Sequence, residues 1–140
     1  MPVGYSGTPL PKKLGFSETT RLAVLHGPSD YLSIVGAVPD GLQVTAELGA
    51  STNLVHLFVT ERERLAAELA RLRKALNPEA VIWVSWPKKA SKVPTTVTED
   101  VIREVALPLG FVDVKVCAVT EVWSGLKLVV RKELRLKSAL

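Results

Sequence analysis

A three-layer α/β sandwich around a mostly parallel sheet of about six strands is the fold class this sequence predicts. Three observations carry it. Apolar runs without alternation recur at "RLAVLHG" (21–27), "NLVHLFVT" (53–60) and "AVIWVSW" (80–86), as in strands covered on both faces. Residues 53–119 read strand, helix, strand, helix, strand, and consecutive βαβ units build a parallel sheet with right-handed crossovers. The chain then closes on two strand-like runs joined by a short link, which predicts a C-terminal antiparallel hairpin.

The elements follow in order. Residues 1–20 form an N-terminal arm: Pro2, Pro9, Pro11, Gly4, Gly7 and Gly15 break regular structure. Tyr5, Leu10, Leu14 and Phe16 are spaced anchors, so the arm is expected to lie on the body, and 21–140 to form a single domain. The first strand spans 21–27 and ends in Gly-Pro-Ser-Asp. "YLSIVGAV" (31–38) suits a short helix, Pro39-Asp40-Gly41 a turn, and "LQVTAEL" (42–48) an alternating second strand. After the third strand, Thr60 and Glu63 have capping-box spacing, and Leu65, Leu69, Leu72 and Leu76 mark one helix face. Asn77-Pro78 stops that helix.

The fourth strand, 80–86, runs into a loop with Lys88, Lys89 and Lys92. A second helix starts near Thr96 or Thr98, either of which can cap it, and carries Val101, Ile102, Val105 and Leu109 on its apolar face. Pro108 should tighten its last turn and Gly110 suits a left-handed exit. Strands five and six are expected at 111–119 and 126–132, linked by "TEVWSG", with a fraying basic tail from 133.

Composition narrows the function classes. The chain has 140 residues, enough for one sizeable core, and 47% of them are apolar. No segment approaches the ~20 apolar residues of a membrane helix, and the start lacks a signal-peptide stretch. A single cysteine excludes an intramolecular disulfide, so a cytoplasmic protein is the default. Net charge is +4 but uneven: residues 1–70 carry 5 Lys and Arg against 7 Asp and Glu, whereas 71–140 carry 13 against 7. The second half can attract an anion, although solvated lysines are the plainer reading.

Ligands of open parallel sheets bind beyond the carboxyl ends of the strands. That rule places His26, Thr60 and Trp86 on one edge, with the lysine loop just past it. The candidate ligand-binding set is therefore His26, Ser29, Asp30, Trp86, Lys88, Lys89 and Lys92.

Other chemistry is weaker. The turn after strand one reads "HGPSDY" where a dinucleotide site needs G-x-G-x-x-G, and no P-loop is present. Glu47, 20 residues after Gly27, is a lone acid where a ribose ligand could sit. His26, Ser29 and Asp30 are catalytic residue types at a strand end, yet Ser and Asp after Gly-Pro are equally turn or cap residues. His56 reads as a satisfied core histidine and Cys117 as a small hydrophobe in a strand. Two histidines and one cysteine, all apart, give no metal-ligand spacing. Nucleic acid is disfavoured: aromatics are 6% of residues and no recognition motif appears. The arginines of the first long helix interleave with Glu61, Glu63 and Glu68, which suits a solvated face.

Three stretches carry a family resemblance: "GYSGTPLPKKLG", "WVSWPKKASKVPTTVTEDVIREVALPLG" and "VDVKVCAVTEVWSGLKLVVRKE". Together they resemble the small bacterial proteins known as domain of unknown function 3052, closely over 4–15 and 80–133 and more loosely over 26–50. The resemblance implies a bacterial cytoplasmic protein of one α/β domain, and supplies no activity, substrate or catalytic residue. The closing hairpin also resembles the last part of class I methyltransferase-like Rossmann folds, where the final strand inserts antiparallel. The start fits that fold less well, with room for fewer helices and one strand fewer. The leading expectation is a non-enzymatic domain that binds an anionic small molecule or a protein partner at the carboxyl edge. The alternatives are a reduced S-adenosylmethionine-dependent methyltransferase and an interaction or assembly module.

Overall fold

A computed structural model describes residues 8–139, with side chains to Arg135. The order is α1 (Leu10–Lys13), β1 (Arg21–Leu25), α2 (Tyr31–Val35), β2 (Gln43–Thr45), β3 (Leu54–Phe58), α3 (Arg62–Ala75), β4 (Val81–Pro87), α4 (Glu99–Ala106), β5 (Phe111–Ala118), β6 (Trp123–Val130) and α5 (Lys132–Ala139). The six strands form one sheet in the order β2-β1-β3-β4-β6-β5. The pairs among β1, β2, β3 and β4 are parallel; β6 enters antiparallel between β4 and β5. The mixed sheet with its inserted last strand is the α/β architecture expected from the sequence.

The apolar strand runs divide by alternation between two layers. Val55, Leu57, Ile82, Val84 and Trp86 face α3 and α4, where Leu65, Leu69, Leu72 and Ile102 meet them. Leu22, Leu54, Phe58 and Trp83 face the other way, against Leu14 and Phe16 of the N-terminal segment and Tyr31 and Val35 of α2. Each leucine of α3 that leaves water here contributes roughly 1.5–3 kcal/mol. Among the described residues, no helix is long and apolar enough to cross a membrane.

Four expectations need correction. The capping box at Thr60 does not form: α3 starts at Arg62, and its first turn is capped from another segment, by Thr96 Oγ1 accepting from Arg62 N at 2.7 Å. Thr60 contributes its carbonyl instead, which accepts from Thr96 N and Thr95 Oγ1. The second helix is capped by Thr98, whose Oγ1 accepts from Val101 N. Thr96→Ala is therefore expected to cost about 1 kcal/mol in urea unfolding and Thr60→Ala clearly less; the reverse order would contradict the assignment.

Strand six starts at Trp123, three residues early, and the hairpin link shrinks to residues 119–122. The expected link "TEVWSG" takes in Trp123, Ser124 and Gly125. In fact Trp123 stacks edge-on against Phe58, and Gly125 lies in the sheet, where a Cβ would press to 3.1 Å from Val119 Cγ2 and 3.3 Å from Trp83 Cε3. The tail does not fray at once: α5 follows β6, Arg131 N donates to Gly110 O at 2.8 Å, and Leu134 packs on the helix-side core. Finally, β2 covers only Gln43–Thr45, and all three residues are exposed, as befits a short edge strand.

Candidate functional sites

Because β1, β3 and β4 are parallel, their carboxyl ends at Leu25, Phe58 and Pro87 share one edge. Among the described residues, that edge carries separate clefts rather than one, and three of them bear on the candidate residues.

The first, about 410 Å³, lies between the exits of β1 and β2. Its floor is the turn Gly27-Pro28-Ser29-Asp30, with Tyr31, Leu32 and Ser33 of α2 on one side and Val44, Thr45 and Ala46 on the other. The turn is tight. His26 takes φ +57°, and a Cβ on Gly27 would stand 2.4 Å from Val24 Cγ1. Asp30 occupies the cap position of α2, yet its carboxylate makes no capping bond. Leu32 and Val44 are large apolar side chains left exposed, 52% and 37%, on the walls of this cleft. Glu47 is not part of it and lines a neighbouring hollow with Arg21.

The second cleft, about 270 Å³, sits over the exits of β1 and β3 and is lined by His26, Phe58, Thr60, Glu61, Arg64 and Trp123 among others. His26 is held on both ring nitrogens. Nε2 lies 2.8 Å from Glu68 Oε2, and Arg64 Nη1 lies 2.9 Å from Nδ1 and 3.2 Å from Nε2. Burial pulls the Glu68 carboxyl up, but hydrogen bonds from Arg71 and His26 outweigh it and hold the group below the usual carboxylate range. The set His26, Arg64, Glu68 and Arg71 was not legible beforehand, since α3 had read as a solvated charge face.

The third cleft, about 550 Å³, is lined by Lys13, Lys88, Lys115, Cys117 and Ser124, with Val116 and Ala118. Burial raises the Cys117 thiol above its ordinary value, against the opposing pull of Lys13 and Lys115, so at neutral pH it is mostly the slower-reacting protonated thiol.

The seven sequence-derived candidates therefore scatter. Ser29 and Asp30 line the first cleft, His26 the second and Lys88 the third. Lys89 and Lys92 are exposed beyond the turn after β4, and Trp86 is 8% exposed inside the helix-side core; none of the three lines these clefts. The reason is sheet order. The β2/β1 exits and the β5/β6 turn lie four strand spacings apart, about 19 Å. A shared edge is not a shared site.

A buried polar chain runs beneath the first cleft. Tyr31 Oη lies 2.7 Å from His56 Nδ1, and His56 Nε2 lies 2.6 Å from Ser85 Oγ. His56 and Ser85 are both wholly buried, so the set positions Tyr31 rather than meeting a substrate. Among the described residues, no group of three His, Cys, Asp or Glu could hold a metal ion.

No family model matches the chain, and no curated protein matches it. Solved structures do. A Sulfolobus solfataricus protein provisionally described as a type 11 methyltransferase superposes with a TM-score of 0.57 at 12% identity, over 88% of this chain and 90% of that one. A protein of the NADB-Rossmann superfamily from Streptococcus agalactiae gives 0.53 at 12% identity, over 91% of this chain and 70% of that one. N,N-8-amino-8-demethyl-D-riboflavin dimethyltransferase from Streptomyces davawensis gives 0.52 at 15% identity, over 80% of this chain but 42% of that one. These likenesses establish that the chain has a Rossmann-like, methyltransferase-like fold.

Proposed function

We propose that the cleft beyond β1 and β2 takes a neutral or cationic nucleoside, S-adenosylmethionine foremost, and that the chain is a reduced methyltransferase. The observation that carries this reading is the sign and texture of the lining. Asp30 brings a carboxylate that makes no capping bond, and among the described residues no lysine or arginine lines the cleft. A phosphate would meet repulsion there, which argues against NAD or ATP; a sulfonium, an ammonium or ribose hydroxyls would not. Leu32 and Val44 supply apolar walls for a flat base, and Ser29 and Ser33 supply hydroxyls. The likeness to methyltransferase folds supports the same choice.

When bound, S-adenosylmethionine supplies an electrophilic methyl group on a positively charged sulfur. The chain's own share is binding and orientation. Asp30 would face positive charge or hydroxyls, and the rigid Gly27 turn would hold it there, with Tyr31 anchored through His56.

Thermal unfolding with S-adenosylmethionine, S-adenosylhomocysteine and ATP tests the reading. A ligand at 100 times its Kd stabilises by about 2.7 kcal/mol, a rise of roughly 5–10 °C for a domain this size. The expected result is a rise with the first two, none with ATP, and its loss in Asp30→Ala and Leu32→Arg. No rise at millimolar S-adenosylmethionine, or an equal rise in both variants, would overturn it.

A further inference from the structure

The third cleft has the opposite character from the first, and we propose that it binds a compact small molecule carrying two or more negative charges, such as a diphosphate. Three lysines from distant segments line it: Lys13 at the end of α1, Lys88 at the exit of β4 and Lys115 on the edge strand β5. Ser124 adds a hydroxyl. Among the described residues no carboxylate lines the cleft.

The placement of Lys115 depends on a break in β5. In an unbroken strand, Asp113 and Lys115 would point to one face and could neutralise each other. Here the register shifts between them: Asp113 opposes Leu128 while Lys115 opposes Lys127, so one extra residue, Val114, is inserted. Asp113 is thereby turned to the helix layer, where it accepts from Arg103 Nε at 3.0 Å. Lys115 is turned with Cys117 to the opposite face. A bulge that re-aims a side chain is a built feature. Its result is unfavourable for the empty protein, because like charges then stand directly across adjacent strands, Lys115 against Lys127. An anion in the cleft relieves that repulsion.

The loop that delivers Lys88 is held firmly. Its backbone N–H donates to Val122 O at 2.7 Å, and its carbonyl accepts from Ser91 Oγ at 2.6 Å. Lys89 and Lys92, beyond it, are exposed and line no part of the cleft. The anion site thus uses one lysine of the "PKKASK" loop and two that no loop composition would have grouped with it. It stands apart from the S-adenosylmethionine cleft and survives the failure of that reading.

Inorganic pyrophosphate is the probe, titrated calorimetrically into the full chain at low and at physiological salt, with orthophosphate beside it. Expected are saturable binding that weakens with salt, pyrophosphate preferred over orthophosphate, and a loss of at least tenfold in Lys88→Ala and in Lys115→Ala. Lys89→Ala and Lys92→Ala should bind as the parent does. Cys117, the one cysteine of the chain, reports the location: pyrophosphate should slow its alkylation by iodoacetamide. Unchanged melting temperatures of the alanine variants separate lost binding from lost folding. No heat at millimolar pyrophosphate, equal losses in Lys89→Ala or Lys92→Ala, or unprotected Cys117 would overturn the proposal.

Discussion

Acidification from pH 7 to pH 4 is expected to weaken this fold by several kcal/mol, and one residue, His56, should account for a full proton of that loss. Burial pushes the His56 imidazole down to about 3. In the unfolded chain it titrates near 6.5. The native value lies below the unfolded one, so the unfolded state takes up the proton first. The stabilisation is complete above about pH 6.5 and is lost progressively as pH falls toward 3. The slope is about 1.4 kcal/mol per pH unit, with a ceiling of roughly 5 kcal/mol over the window.

The geometry explains why protonation is resisted. Each ring nitrogen of His56 already has one partner, Tyr31 on one side and Ser85 on the other. A neutral ring satisfies both with one N–H and one lone pair. The charged ring would stand buried in the sheet, and among the described residues no carboxylate pairs with it. His56→Gln should cost about 1–3 kcal/mol at pH 7, because two buried hydroxyls lose ideal partners. The same variant should flatten the pH dependence between 6.5 and 4. Urea unfolding of both proteins at four pH values checks this. Parallel curves would show that His56 does not carry the proton.

Sequence patterning gave access to the layers and not to the neighbours. Apolar runs at 53–60 and 80–86 revealed strands covered on both faces, and the βαβ order revealed their direction. Both arise from local periodicity. Sheet order is another matter, because it depends on which crossover lands where. His26, Asp30 and Lys88 were therefore placed correctly on one edge, but grouped as though that edge were a single pocket. The bulge at Val114 left no sign in the run "FVDVKVCAV", so nothing singled out Lys115. Gly125 fell inside the expected link for a definite reason: a glycine signals a loop or a close packing partner with equal force, and here Val119 and Trp83 are the partners. Thr96 and Thr60 show the same limit, since capping rules assume the cap is the preceding residue and α3 takes its cap from a segment 34 residues away.

Trp83→Ala is expected to be the most damaging single change in the chain. Trp83 is 0% exposed and has the largest of the fully buried side chains. It sits in the central strand β4 and fills the layer between the sheet and the N-terminal segment. Its indole N–H donates to Leu14 O at 3.0 Å, so it satisfies a buried carbonyl 69 residues away. Truncation to alanine removes the ring and leaves a cavity, at about 3–5 kcal/mol. The unpaired carbonyl adds part of a further 1–3 kcal/mol. Melting should fall by roughly 10–20 °C. Trp83→Phe separates the two effects, because it keeps most of the packing and loses the hydrogen bond; it should cost about half as much. Both variants should also expose the segment around Gly15 and Ser17 to protease, since Leu14 and Phe16 are buried against the layer that Trp83 fills. A Trp83→Ala protein that melts within a degree or two of the parent, or is cleaved no faster there, would mean that α2 and the sheet alone hold that face. The N-terminal segment would then be a passenger on the fold rather than one of its three layers.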